Sequence, residues 1–184
     1  MSVITTCYGN IDSEIMSRLS KVKLLAFDVD GTITDGGIYL DNTNLELKKF
    51  YTKDGYGLHN LNKSGVICAA ITGRKAPLME RRMHELKLTY LIQGEWDKKT
   101  ALTKLCSKLN IDIKNSACIG DDLNDLSMFN IAGITACPKD AHPYMKKISD
   151  IVLDYEGGHG AIRQFCDLIM MSQNNLNYDG GPLA

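Results

Sequence analysis

Short, strand-like and largely apolar runs recur along the chain at 23–27, 66–71, 90–92, 117–119 and 134–136, with a weaker one at 151–153. Runs of this length, apolar at successive positions, are what strands buried on both faces of a parallel sheet require. Between them the period lengthens. Residues 97–109 set Ala101, Leu102, Leu105 and Leu109 at helical spacing behind Asp97, a favoured N-cap. Residues 77–87 open on Pro77, which suits a first helical turn, and 123–130 and 140–147 are shorter helical candidates. Strand and helix in alternation predict an α/β fold: a doubly wound, mostly parallel sheet.

One segment breaks the rhythm. From Ile38 to Lys48 apolar and polar residues alternate on both sides of a turn-rich Asp41-Asn42-Thr43-Asn44, which predicts a β-hairpin over about 37–51. Its apolar face (Ile38, Leu40, Leu45, Leu47) is more than two strands can bury alone. The hairpin therefore either folds back on its own domain or packs against copies of itself. The remaining boundaries are a helical N-terminal extension over 1–21, the main domain over 22–172, and a polar, Gly-rich tail over 173–184 that is expected to be flexible.

Bulk properties narrow the class. A chain of 184 residues suits one domain with a real core. A net charge of −1 gives no global field for nucleic acid or an anionic membrane surface. No apolar run reaches the ~18–20 residues that cross a bilayer. Asp12, Glu14 and Arg18 interrupt the N-terminal segment, which lacks the apolar stretch of a signal peptide. The six cysteines are scattered with no C-x-x-C pair, which argues for a reducing, cytoplasmic setting.

The candidate chemistry falls just after successive apolar runs. Asp28 and Asp30 follow the first and Thr72-Gly73-Arg74 the second. Lys98 follows the third, past Gln93-Gly94, and Gly120-Asp121-Asp122-Leu123-Asn124-Asp125 follows the fourth. In open parallel sheets ligands bind beyond the carboxyl ends of the strands, so these groups share one edge. Crowded carboxylates raise one another's pKa or require a cation, and oxygen ligands beside a phosphate-sized space select Mg²⁺. Thr72, Gly73 and Lys98 offer a hydroxyl, a close N–H and a positive charge for a phosphoryl group. One aspartate can attack phosphorus while a second, two residues on, moves the proton.

Asp28-Val29-Asp30-Gly31-Thr32, Thr72-Gly73, Lys98 and Gly120-Asp121-Asp122 with Asp125 together resemble the four ordered motifs of the haloacid dehalogenase superfamily of phosphatases. The resemblance implies Asp28 as nucleophile, Asp30 as general acid/base, and Thr72 and Lys98 as phosphoryl ligands. It implies Mg²⁺ on Asp28, Asp121 and the main-chain carbonyl of Asp30, with Asp122 and Asp125 in support.

Over roughly 22–172 the chain further resembles a capless subfamily of that superfamily, the 3-deoxy-D-manno-octulosonate 8-phosphate phosphatases. This rests on Asp35-Gly36, the hairpin, Lys53-Asp54-Gly55-Tyr56-Gly57, Ile71-Thr72-Gly73-Arg74-Lys75, Gln93-Gly94 and Gly157-Gly158-His159-Gly160-Ala161. The subfamily implies a homotetramer built through the hairpins, an aspartyl-phosphate mechanism and a place in lipopolysaccharide synthesis. It also implies substrate contacts at Tyr51, Thr52, Lys53, Asp54, Gly55, Gly73, Arg74 and Arg82, shared with Asp30 and Lys98. At His59 relatives often carry Arg, which leaves the sugar acid open. The alternatives are a nonulosonate 9-phosphate phosphatase, a stand-alone phosphatase of the kind associated with acylneuraminate cytidylyltransferases, and a non-catalytic tetrameric scaffold.

Overall fold

A computed structural model describes residues 2–42 and 46–176. It opens with a small antiparallel hairpin, β1 (Val3–Thr6) and β2 (Gly9–Asp12), before helix α1 (Ser13–Leu19). The helical extension expected over 1–21 is thus helical only in α1. Val3 to Thr6 are mostly β-branched and favour a strand. Thr6 Oγ1 closes the turn, donating to Gly9 O (2.8 Å) and accepting from Tyr8 N (3.1 Å). Asp12 then caps α1, accepting from Glu14 N at 2.8 Å.

The central strand is β3 (Leu24–Phe27), all four residues buried. After it comes the inserted hairpin, β4 (Tyr39–Leu40) with β5 (Glu46–Leu47), then α2 (Thr52–Lys63), β6 (Ile67–Thr72), α3 (Pro77–Glu85), β7 (Tyr90–Gln93) and α4 (Lys98–Leu109). The chain continues through β8 (Ser116–Ile119), α5 (Leu126–Phe129), β9 (Ile134–Cys137), α6 (Pro143–Ile148), β10 (Ile151–Val152) and α7 (Ala161–Ser172). Six parallel strands lie in the order β10-β9-β8-β3-β6-β7.

Alternation along β3 divides the core into two layers. Leu25 and Phe27 pack with residues of α1, α2, α3 and α7, and Leu24 and Ala26 with residues of α4, α5 and α6. This is the doubly wound arrangement the apolar runs predict. Two helices go beyond the sequence reading. α2 carries Gly55 and Gly57, which weaken a helix locally; it gains stability by lying along α7, where a Cβ on Gly57 would meet the Arg163 backbone at 3.1 Å. α7 is buried along most of its length, its polar Gln164 and Asp167 included.

The apolar side chains of the hairpin are not buried against the domain. Ile38, Leu40 and Leu47 are 59, 70 and 56 % exposed; Leu45 and Thr43-Asn44 of the turn lie outside the described residues. The tail departs from expectation at its start. Gln173 donates to Val22 O at 2.8 Å and Leu176 packs against the core. Residues 177–184 lie outside the described residues. Among the described residues, no helix is long and apolar enough to cross a membrane.

Candidate active site

The chain leaves β3 toward β6 and later returns to β8 on the other side, so the strand order reverses at β3. That reversal is where open α/β sheets bind ligands. Asp28 leaves the end of β3, its amide donating to Ile119 O of β8 at 3.0 Å. Thr72 ends β6, Asp121 lies just past β8, and Lys98 opens α4 behind the Asp97 cap (Thr100 N to Asp97 Oδ1, 3.1 Å). The loop between β10 and α7 presses on the same edge. A Cβ on Gly157 would sit 1.7 Å from Gly31 O, and one on Gly158 2.4 Å from Asp35 N.

Lys98 is fully buried, with its ammonium between Asp28 Oδ1 and Asp125 Oδ1, the latter at 2.5 Å. Asp125 Oδ2 accepts from the amides of Asp121 (3.0 Å) and Asp122 (3.3 Å), which locks the loop that carries Asp121. Thr32 donates to Asp121 Oδ1 at 2.9 Å. Ligand oxygens of Asp28, Asp121 and Asp125 lie within 4.8 Å of one another. Burial and the nearby Asp125 charge push Asp28 up to about 8 against the opposing pull of Lys98. Burial and then Asp125 push Asp121 up to about 7, with the Thr32 hydrogen bond opposing. Burial pulls Lys98 down, but Asp28 and Asp125 outweigh it and the ammonium is held charged.

Three carboxylates thus gather in a buried site whose one ammonium pairs with two of them. Among the described residues, the second oxygens of Asp28 and Asp121 accept no hydrogen bond. A hard divalent cation suits this donor set, because it answers the uncompensated charge with oxygen ligands already gathered.

Asp30 stands apart from the cluster. Its Oδ1 accepts from Lys48, which follows β5 and is 2 % exposed. Lys48 also pairs with Glu46 (3.1 Å), and Glu46 with Arg74 (2.8 Å). Lys48 engages only Oδ1, so among the described residues Oδ2 and the main-chain carbonyl of Asp30 remain open. Asp122, expected in support of a metal, is exposed and caps the short turn that follows, accepting from Leu123 N at 2.7 Å.

A haloacid dehalogenase-like hydrolase profile matches residues 90–165, the span carrying Lys98, Asp121 and Asp125. The 3-deoxy-D-manno-octulosonate 8-phosphate phosphatase of Escherichia coli (strain K12) is 40 % identical over 174 residues, 95 % of this chain and 93 % of that one. The chain belongs to the haloacid dehalogenase-like hydrolases. The crystal structure of that phosphatase from Yersinia pestis superposes on this hydrolase with a TM-score of 0.92 at 40 % identity, covering 94 % of each chain. The Moraxella catarrhalis phosphatase, crystallised with magnesium, phosphate and KDO, gives a TM-score of 0.86 at 42 % identity, covering 88 % of this chain and 93 % of that one.

In this hydrolase the expected substrate residues divide. Thr72 is buried at the sheet edge, its Oγ1 accepting from Arg74 N at 3.2 Å. Gly73 lies under the Trp96 ring, where a Cβ would meet ring carbon at 2.7 Å; sequence reasoning missed Trp96. Tyr51 and Lys53 line a cavity of about 290 Å³ with Tyr8, Tyr155, His159 and Arg163. Thr52 opens α2 beside them and is exposed. Arg82 lines a different cavity of about 380 Å³ with Lys48, Phe50, Arg81 and Glu85, and its guanidinium lies 5.3 Å from the Phe50 ring centroid.

Three further expected substrate residues are engaged within the chain. Asp54 is fully buried and accepts from Gly160 N (3.1 Å) and Arg163 N (2.8 Å), so it caps α7. Gly55 is buried against Arg82, where a Cβ would meet Nη2 at 2.3 Å. His59 Nδ1 lies 3.1 Å from Leu86 O and joins α2 to the end of α3. No role for Lys48 or Glu46, nor the Thr32 bond to Asp121, follows from the sequence reading. The hairpin alternation carried the signal for two of them, because Glu46 and Lys48 occupy the polar positions between Leu45, Leu47 and Lys49.

Proposed function

We propose that the chain is a Mg²⁺-dependent phosphatase that hydrolyses 3-deoxy-D-manno-octulosonate 8-phosphate to the free sugar acid and phosphate. The observation that carries this reading is the buried Asp28–Lys98–Asp125 arrangement with Asp121 beside it, at the strand-order reversal of a capless fold whose relatives bear that activity. Asp28 attacks phosphorus and forms an aspartyl-phosphate, while Asp30 gives its proton to the leaving sugar oxygen. Asp30 then takes a proton from water, which attacks the same phosphorus and frees Asp28. Thr72, the Gly73 amide and Lys98 hold the phosphoryl oxygens. Asp28 and Asp121 would hold Mg²⁺, with Asp125 fixing the loop that carries Asp121, and the ion would neutralise charge between nucleophile and phosphoryl group.

Phosphate release from a panel of sugar-acid phosphates, with and without Mg²⁺, tests the reading. Fast turnover of the octulosonate 8-phosphate is expected. Preference for a nonulosonate 9-phosphate would move the assignment to that sugar, and silence on every ester would favour a scaffold. We further propose a cytoplasmic homotetramer serving lipopolysaccharide synthesis. The exposed Ile38, Leu40 and Leu47 support assembly through the hairpin. Light scattering that reports a monomer at micromolar concentration defeats it.

A further inference from the structure

Each acid of the site has its own partner: Lys98 for Asp28 and Asp125, and Thr32 for Asp121. Among the described residues, the side chain of Asp30 has one partner, Lys48. Lysine is seldom buried unless paired, yet the Lys48 side chain is 2 % exposed, against 26 % for Asp30 and 25 % for Glu46. Removing an ammonium from water is costly, and two carboxylates on one ammonium offset that cost. Glu46 is held in turn by Arg74, two residues beyond Thr72. A chain of charges therefore runs Asp30–Lys48–Glu46–Arg74. It ties the inserted hairpin to the loops after β3 and β6.

We propose that Lys48 is a positioning residue for Asp30. It occupies Oδ1 and sets the rotation of the carboxylate, so that Oδ2 is left to exchange a proton with the reacting oxygen. Glu46 fixes Lys48 in the same way. The inference rests on the phosphatase reading above, with Asp30 as the acid–base. The proton accounting involves Asp30 alone. As the bond from Asp28 oxygen to phosphorus forms and the ester P–O bond breaks, the Asp30 proton passes to the departing sugar oxygen. As water attacks and the aspartyl-phosphate bond breaks, a water proton returns to Asp30. Lys48 neither gains nor loses a proton. A misplacement of about 1 Å in such a group is enough to cost on the order of 100-fold.

Leaving-group chemistry separates this role from a merely structural one. A sugar alkoxide needs a proton to depart and p-nitrophenolate does not. The measurement is kcat/KM, which reports aspartyl-phosphate formation, for wild type, Lys48→Met, Lys48→Arg, Asp30→Asn and the Lys48→Met/Asp30→Asn double variant. The esters are 3-deoxy-D-manno-octulosonate 8-phosphate and p-nitrophenyl phosphate. Lys48→Met is expected to lose about 30- to 100-fold on the sugar ester, chiefly in kcat, and under about 3-fold on the nitrophenyl ester. Adding it to Asp30→Asn should bring no further loss, and Lys48→Arg should recover most of the activity. Equal losses on both esters, or multiplying losses in the double variant, overturn the assignment. Should Lys48→Met fail to fold, Glu46→Gln carries the test: a smaller loss confined to the sugar ester supports the inference and an equal loss refutes it. A wild type that hydrolyses neither ester overturns the phosphatase reading itself, and the Lys48 role with it.

Discussion

Asp28 and Asp54 are both buried carboxylates pushed upward by burial, one against Lys98 and the other at the start of α7. Asp54 accepts two amides at the start of α7, and burial moves it from 3.8 to about 6 despite those hydrogen bonds. An acid whose pKa is higher in the folded chain than in the unfolded one binds more protons when folded. Stability therefore falls as pH rises from about 4 to about 6 and is flat above. The step is worth about 3 kcal/mol. In urea denaturation at a series of pH values, wild type should lose up to that amount relative to Asp54→Asn across the window. Parallel curves would show that Asp54 ionises as easily in the fold as outside it. This residue also shows where sequence reading stops. Asp28, Thr72, Lys98 and Asp121 were legible because each closely follows an apolar strand, a local pattern. The partners of Asp54 lie more than 100 positions away, and no spacing rule links them. Lys48 was passed over because a lysine on a hairpin reads as solvated until a carboxylate is found against it.

At the scale of elements, the parallel strands fall within a residue or two of the apolar runs, since burial on both faces leaves an unambiguous pattern. The elements missed are those that tertiary contact sustains: α2 with its glycines against α7, and the N-terminal hairpin with its short polar turn. The inserted hairpin was legible as a hairpin, and its apolar face as one that either its own domain or another copy has to cover. Two strands of two residues cannot stand alone with three large apolar side chains in water. A second copy covering them, as proposed, would resolve the conflict. If so, Leu40→Asp together with Leu47→Asp should lower the mass found by light scattering below that of the wild type, while leaving the far-ultraviolet circular dichroism of the doubly wound domain intact. An unchanged mass would place the assembly surface elsewhere.

For the whole molecule, the net charge of −1 conceals a strong local imbalance. Asp28, Asp121 and Asp125 are gathered beside a single ammonium, which pairs with Asp28 and Asp125, and the fold holds the three together against their repulsion. A cation bound only by the folded chain stabilises it by mass action, about 2.7 kcal/mol at 100 times its Kd. For a domain of this size each kcal/mol moves Tm by roughly 2–4 °C. Saturating Mg²⁺ should thus raise Tm by about 5–10 °C over chelator-treated protein, with no substrate present. Asp121→Asn removes one of the two open carboxylates and should abolish most of that rise, whereas Asp122→Asn, at an exposed cap, should leave it in place. The comparison separates a specific ion from general screening, because both variants change net charge equally. A rise of the same size in all three proteins would mean that the ion binds outside the cluster. No rise in wild type at millimolar Mg²⁺ would mean that Lys98 alone satisfies the three acids, and the metal-dependent mechanism would have to be abandoned.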